Sequence, residues 1–194
     1  MYNRTMDTME RLIRSTQELL WERGYVGTSP KAIQRRAEAG QGSMYHHFDG
    51  KPGLALAAVR RSAGELRAEA EARFSAPGTA IERITAYLLR EREVLRGCPI
   101  GRLAQDPDIV ASEELRRPLE ETFAWLRGRL AGVLAEGRAR GELSDGLVPE
   151  EVAATIVAVL QGGYVVARAA GSAEPFDQAV GGLLALLRAH VTLS

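Results

Sequence analysis

The chain has one cysteine, Cys98, among 194 residues. That excludes an internal disulfide framework and a cysteine-clustered zinc site, and it fits the reducing interior of a cell. A long apolar run is also missing. The longest uncharged stretch, 152–167, contains Gln161, Gly162 and Gly163 and falls short of the roughly 20 residues a bilayer span requires. It reads as an interior or subunit-facing helix, because burial on several sides requires few charges. Met1, Tyr2, Asn3 and Arg4 supply no apolar core of a secretory signal. The expected location is cytoplasmic, with no membrane partner.

Excess charge is absent too, since Lys+Arg and Asp+Glu balance at 25 each. The balance hides an asymmetry. Through Arg61 there are ten Lys/Arg against six Asp/Glu, a difference of +4, which leaves fifteen against nineteen, or −4, in the remainder. Basic character is gathered at the amino-terminal end. No strand-like alternation, internal repeat or low-complexity tract is visible, so the chain reads as all-α.

Nor is there a catalytic arrangement. The three histidines have no serine or cysteine partner in a shared motif, and no glycine loop carries a phosphate-binding lysine. Neither enzymatic activity nor a cofactor is expected. His46 and His47 are adjacent and so point about 100° apart, without a carboxylate or third histidine at ligand spacing, and no metal is expected there. His190 suits a helix end. Cys98 adjoins Pro99 but no lysine or histidine, although Arg96 and Arg102 are near. It reads as a buried small apolar side chain, with an oxidation sensor as the alternative.

What the chain does carry is concentrated in residues 28–48, followed by Lys51. Ser29 can accept a hydrogen bond from first-turn amides and Pro30 already has the backbone angle of a first helical position, so a helix begins there. Ile33 and Ala37 form its buried stripe. Lys31 and Arg35 fall on the opposite face, with Arg36 on the flank. Glu38, Ala39 and Gly40 are too few for another element and end in a glycine, which suits a sharp reversal.

A second short helix over 41–48 places Met44 and Phe48 together, with Gly42, Ser43 and His46 opposite and Tyr45 and His47 on the edges. Met44 and Phe48 should anchor it. Gln41, Ser43 and His46 can then meet base edges, Tyr45 a phosphate, and Gly42 removes a side chain where backbones approach closely. Eight helical residues span about 12 Å, roughly the width of a DNA major groove. That helix carries no lysine or arginine, so phosphate attraction must come from Arg4, Lys31, Arg35, Arg36 and Lys51. One copy would bind poorly, which implies a dimer.

These residues resemble the tetracycline-repressor family of bacterial transcription regulators. The resemblance rests on the run Gly42, Ser43, Met44, Tyr45, His46, His47, Phe48 with Lys51, on Ile33 and Ala37 upstream, and on a preceding helix ending Trp21, Glu22, Arg23, Gly24, Tyr25. It covers about the first sixty residues. The chain departs from the family in its turn: Glu38, Ala39 and Gly40 stand where relatives carry glycine, a branched apolar residue and a serine cap. Cys98, Pro99, Ile100 and Gly101 resemble a subgroup that includes regulators of drug-efflux genes.

The resemblance implies a helix-turn-helix DNA-binding domain over 1–50 and a larger helical effector-binding and dimerisation domain over 51–194. It further implies a homodimer through the last two helices, about 149–170 and 175–191, paired with their twofold mates. Such a dimer would act on a palindromic double-stranded operator, as a repressor released by an apolar or amphipathic small molecule. The competing reading is a helical small-molecule-binding protein without a DNA function.

Elsewhere, about nine helices are expected in all. The first runs from about 8 to 24, capped by Asp7 with Glu10 and carrying Met9, Leu12, Ile13, Thr16, Leu19 and Leu20 inward. A fourth opens at Lys51 and Pro52 and runs towards Phe74. Thr79 with Glu82 forms a capping box for a helix carrying Ile81, Ile84, Leu88 and Leu89 to Gly97. Residues 98–106 allow no more than a short helix. Ser112 caps a long run bearing Leu115, Leu119, Phe123, Leu126, Leu130 and Leu134, which Pro118 either kinks or begins. Phe123, Trp125, Gln161, Tyr164 and Arg168 combine apolar walls with a few polar groups, as an effector pocket requires, or else belong to ordinary core.

Overall fold

A computed structural model of the protein describes residues 7–192. Among them are ten helices: α1 (Thr8–Arg23), α2 (Pro30–Ala37), α3 (Gln41–His47), α4 (Gly50–Phe74), α5 (Ala80–Leu88), α6 (Pro99–Leu103), α7 (Pro107–Ala111), α8 (Glu113–Ala139), α9 (Pro149–Ala170) and α10 (Glu174–Arg188). There is no strand among the described residues, only an isolated antiparallel bridge between Leu143 and Val191. The all-α expectation holds. The segment after Cys98 forms two short helices, because Asp106 accepts from the Asp108 amide and Pro107 starts a new turn.

The chain falls into two compact units, residues up to 64 with 99–120, and residues 65–98 with those from 121 onward. In the first, Leu12, Ile13, Leu19, Ile33, Ala37, Met44 and Leu54 form one buried cluster, with Ala32, Ala39, Phe48 and Ala57 packed against it. Two details of α1 differ from expectation. Met9 is exposed, and Ser15 is buried instead. Asp7 makes no side-chain cap, and Glu10 is engaged by the Arg61 guanidinium through two bonds of 2.7 and 3.0 Å. A bidentate ion pair outcompetes a neutral amide for the carboxylate. That pairing also holds Glu10 below the usual carboxylate range.

The end of α1 is held from far along the chain. Asp106, buried, accepts from the Tyr25 amide at 2.7 Å and the Val26 amide at 3.1 Å, while its other oxygen accepts from Asp108 at 3.2 Å. The Arg102 guanidinium donates to the Trp21 carbonyl. Gly24 ends α1 at φ 73°, and a Cβ there would lie 2.8 Å from the Asp106 carboxylate. Both the angle and the close approach therefore require glycine.

In the second unit the Thr79 capping box forms in full, with Glu82 N–H to Thr79 Oγ1 at 3.2 Å and Thr79 N–H to Glu82 Oε2 at 2.8 Å. The helix it starts stops at Leu88 rather than Gly97, because arginines cap its carbonyls. Arg92 donates to the carbonyls of Tyr87 and Leu88, each at 2.8 Å, and Arg90 to that of Tyr87 at 2.9 Å. Leu89 consequently lies exposed and Ile81 is half-buried, while Tyr87 takes a core position.

The long helix α8 begins at Glu113 with the Ser112 hydroxyl accepting from Leu115, so Pro118 lies inside it and does not start it. By length and composition α9 could cross a membrane. Its Ala153, Ile156, Leu160, Tyr164 and Ala167 are nevertheless buried within the unit, as are Phe176, Val180, Leu183, Leu184 and Leu187 of α10. Helix α10 ends at Arg188, short of the expected 191, where Val191 turns to pair with Leu143.

Replacing the buried Asp106 carboxylate tests the hold on α1. Asp106→Ala leaves the Tyr25 and Val26 amides without an acceptor and lowers the unfolding free energy by about 1–3 kcal/mol, measured by urea denaturation. A change within the error of the method would show that these bonds contribute nothing net.

Candidate nucleic-acid interface

Helices α2 and α3 are joined by a turn whose geometry departs from the sequence expectation. The Ser29 hydroxyl accepts from the Ala32 amide at 3.2 Å and Pro30 occupies the first position, as expected. The reversal, however, falls on Glu38, whose φ 48° and ψ 45° are left-handed, and Gly40 is extended at φ −70° and ψ 158°. Gly40 lacks a side chain to cap α3, and none does so. Glu38 is the one non-glycine residue at positive φ among the described residues, at the position where the family pattern carries glycine.

Helix α3 has seven residues rather than eight, because Phe48 is already extended at φ −139°. Its length is about 10 Å. Met44 is fully buried and its sulfur accepts from the Gln34 amide at 3.6 Å. Phe48 remains packed against the same cluster from just outside the helix. Pinned from that side, α3 turns Gln41, Gly42, Tyr45, His46 and His47 to solvent, with Tyr45 55% exposed, while Ser43 is half-buried. A Cβ added at Gly42 would meet no protein atom within 4 Å. Any approach its absence permits is from outside the chain.

Cations flank this edge. Lys31 and Arg35 are exposed on α2 and form no ion pair among the described residues. Arg36, expected to share their role, is gripped by Glu22 through bonds of 2.7 and 2.8 Å, which raises its pKa. Its charge is thereby compensated. A cleft lined by Leu19, Arg23, Ala32, Arg35 and Arg36 brings in Arg23, which no helical wheel of α2 could have revealed. Lys51 is half-buried with its ammonium 3.8 Å from the centre of the Tyr25 ring, a cation–π contact. Burial lowers its pKa, against the opposing pull of Asp108 and Asp106, and burial raises that of Tyr25. Arg4 lies outside the described residues. His46 and His47 meet edge to face at 4.9 Å.

The residues considered for an effector lie on α8 and α9. Phe123 and Trp125 are half-buried, Gln161 is half-buried, and Arg168 is exposed. Tyr164 is buried, its hydroxyl accepting from Arg92 at 3.3 Å and its ring 4.8 Å from that of Phe176. Burial raises the Tyr164 pKa and lowers that of Arg92. Trp125 has a different neighbour, the Arg67 guanidinium, 5.9 Å from its ring centre. Neither arginine was evident from sequence spacing, because each reaches its aromatic partner from another helix or turn. Cys98 is buried.

Residues 12–58 match the family model for bacterial regulatory proteins of the tetR family. Residues 79–183, more than half of the chain, match the tetracyclin repressor-like C-terminal domain. The chain belongs to the tetracycline-repressor family. Among curated members of that family it is 25% identical to the HTH-type transcriptional repressor NemR of Escherichia coli, over 90% of each chain. It is 26% identical to the HTH-type transcriptional repressor DhaR of a Mycobacterium species, over 87% of this chain and 86% of that one. A crystal structure of a TetR regulator from Chloroflexus aurantiacus superposes with a TM-score of 0.83 at 25% identity, covering 96% of this chain and 97% of the other. Reduced NemR of E. coli shares the fold at a TM-score of 0.83. The protein is therefore a helix-turn-helix transcriptional regulator, and these matches are to regulators rather than to enzymes.

The turn makes the chain's departure from its family measurable. A non-glycine residue in the left-handed region costs about 1–2 kcal/mol, partly offset by the greater backbone freedom of glycine in the unfolded chain. Glu38→Gly is expected to stabilise the protein by about 1 kcal/mol and raise Tm by roughly 2–4 °C, read by thermal denaturation. A lower Tm would mean that the Glu38 side chain contributes more than its backbone strain costs.

Proposed function

We propose that the protein is a homodimeric repressor that binds a palindromic operator and is released by a small-molecule effector. Residues 1–50 serve as the reading domain and 51–194 as the effector and dimerisation domain. The observation that carries the reading is α3 itself, whose exposed polar and aromatic edge lies opposite the fully buried Met44. Gln41, Ser43 and His46 address base edges, Gly42 lets the backbone approach, and Tyr45 reaches a phosphate. Ser29, Lys31, Arg35 and Lys51 hold the phosphate backbone on either side. Repression is supported by the names of NemR and DhaR. A regulator of this kind works where DNA is, in the cytoplasm.

The dimer reading is supported by the outward faces of the last two helices. Ala158, Gly162, Val165, Val166 and Ala169 of α9 are exposed, as are Gly181, Gly182, Ala185 and Leu186 of α10, Leu186 at 69%. Small and apolar residues at helical spacing permit close packing of a second copy. Two reading helices then need a separation of about 34–36 Å to enter successive major grooves. An effector bound through Phe123, Trp125, Gln161, Tyr164 or Arg168 weakens DNA binding by its preference for an arrangement in which that separation is lost.

Selection of bound duplexes from random DNA, followed by titration at increasing salt, tests the DNA reading. Affinity should fall steeply with salt, and Lys31→Ala should weaken binding on every sequence while reducing the salt slope by about 2, one for each subunit. Ser43→Ala and His46→Ala should instead erode the preference for the selected site over unrelated DNA. Wild-type affinity and preference in all three variants would remove α3 as the reading element.

For the dimer, Leu186→Glu places a charge on each outward face, and sedimentation at micromolar concentration should show a monomer. Retention of the dimer would place the interface elsewhere.

A further inference from the structure

Buried arginines are costly unless their five N–H donors find acceptors and their charge finds a partner. The second unit offers several to compare. Arg129 has its counter-charge: its Nε and Nη2 grip the two oxygens of Glu71, each at 2.7 Å. Arg83 has a buried Nε without a partner, but its charge is met by Glu136 at 2.8 Å and it donates to the Phe74 carbonyl at 3.0 Å. Arg92 has no carboxylate, but carbonyls and the Tyr164 hydroxyl take its protons. Arg138 has an unpartnered Nε but lies in the last turn of α8, where the helix carbonyl end itself favours a cation.

Arg67 differs from all of these. It lies on α4, half-buried, and donates from Nη2 to the hydroxyl of the fully buried Thr122 at 3.1 Å. Its guanidinium faces the half-buried ring of Trp125. Its Nε is buried with no acceptor, and no carboxylate pairs with it among the described residues. The nearest acid along its own helix face, Glu71, is already committed to Arg129 and to the Ser75 hydroxyl.

The fork is therefore only partly used: Nε has no acceptor and Nη2 has one of its two N–H groups on Thr122, on the same Nε and Nη2 edge with which Arg129, further along the same two helices, holds a carboxylate. A buried N–H without a partner costs stability that a native chain retains when something else supplies the acceptor.

We infer that Arg67 and Thr122, with Trp125 as an apolar wall, recognise the oxyanion head of an amphipathic effector, one oxygen accepting from Nε and the other from Nη2. This deepens the effector reading above and rests on it, since Trp125 belongs to that proposed site. The class of ligand is an organic acid with an apolar body. The Nε–H acquires its acceptor, the guanidinium its counter-charge, and the apolar body lies against the indole. A neutral alcohol of the same length offers one uncharged acceptor and no counter-charge, so it meets the fork more weakly.

The chain has two tryptophans, Trp21 and Trp125, so a Trp21→Phe background reports on Trp125 alone. In that background the full-length dimer is titrated with decanoate, decyl phosphate and decanol, following indole emission and release of the selected operator. Decanoate or decyl phosphate should change the emission saturably and bind at least about tenfold tighter than decanol, as a charge-assisted pair requires. The tighter of the two acids identifies the head group.

Arg67→Gln should abolish the preference, bringing the acids to the level of decanol. Arg67→Lys keeps stem and charge without the planar fork, and should lose at least about threefold should the glutamine variant fail to fold. Equal binding of acid and alcohol, or an undiminished preference in the Arg67 variants, would overturn the inference while leaving an apolar effector site standing. No change in emission or operator binding with any of the three would overturn both.

Discussion

The burial of Met44 is the constraint on which the setting of α3 depends. A seven-residue helix with an uncapped glycine at its start has almost no stability of its own, since so short a helix is marginal in water. What holds α3 is the transfer of one methionine into the cluster of Leu12, Ile33 and Leu54, with Phe48 closing the far end. Full burial of such a side chain contributes about 1.5–3 kcal/mol. Because residues of so short a helix share one rotational setting, fixing Met44 inward fixes Tyr45 and His46 outward. What this edge exposes is thus decided from the opposite face.

Electrostatics around α3 follow from which cations are already spent. Arg61 and Arg36 are committed to Glu10 and Glu22 in two-bond pairs, so the basic excess counted along the sequence overstates the charge offered outward. Lys31 and Arg35 have no ion-pair partner among the described residues, and Lys51, half-buried, is held over an aromatic ring. On the proposed function, phosphate attraction is concentrated in few groups, and affinity comes from the doubling that a second copy supplies.

The same accounting of arginine partners organises the other unit. Where a guanidinium meets a carboxylate, as Arg129 does on Glu71, it joins two helices, and the carboxylate is held at about 2. Where it meets backbone carbonyls, as Arg92 does, it terminates a helix that its own sequence pattern would have continued. Where it meets only a hydroxyl and an indole, as Arg67 does, its binding capacity is left open. One residue type has three settings according to which acceptor is within reach.

Local chemistry was legible in the chain because it needs only neighbours. Ser29 with Pro30 started α2, Thr79 with Glu82 capped α5, Ile33 with Ala37 and Met44 marked inward faces, and the apolar spacing of α9 and α10 required burial. Those outcomes depend on hydrogen bonds and periodicities within a turn or two. Tertiary structure decided what depends on residues distant in sequence. Asp106 returns to the end of α1, Glu10 leaves its cap for Arg61, and Arg92 shortens α5. Glu38 rather than Gly40 takes the left-handed angle. Each is a choice between competing acceptors or packings, and such a choice is fixed only when the chain has folded back on itself.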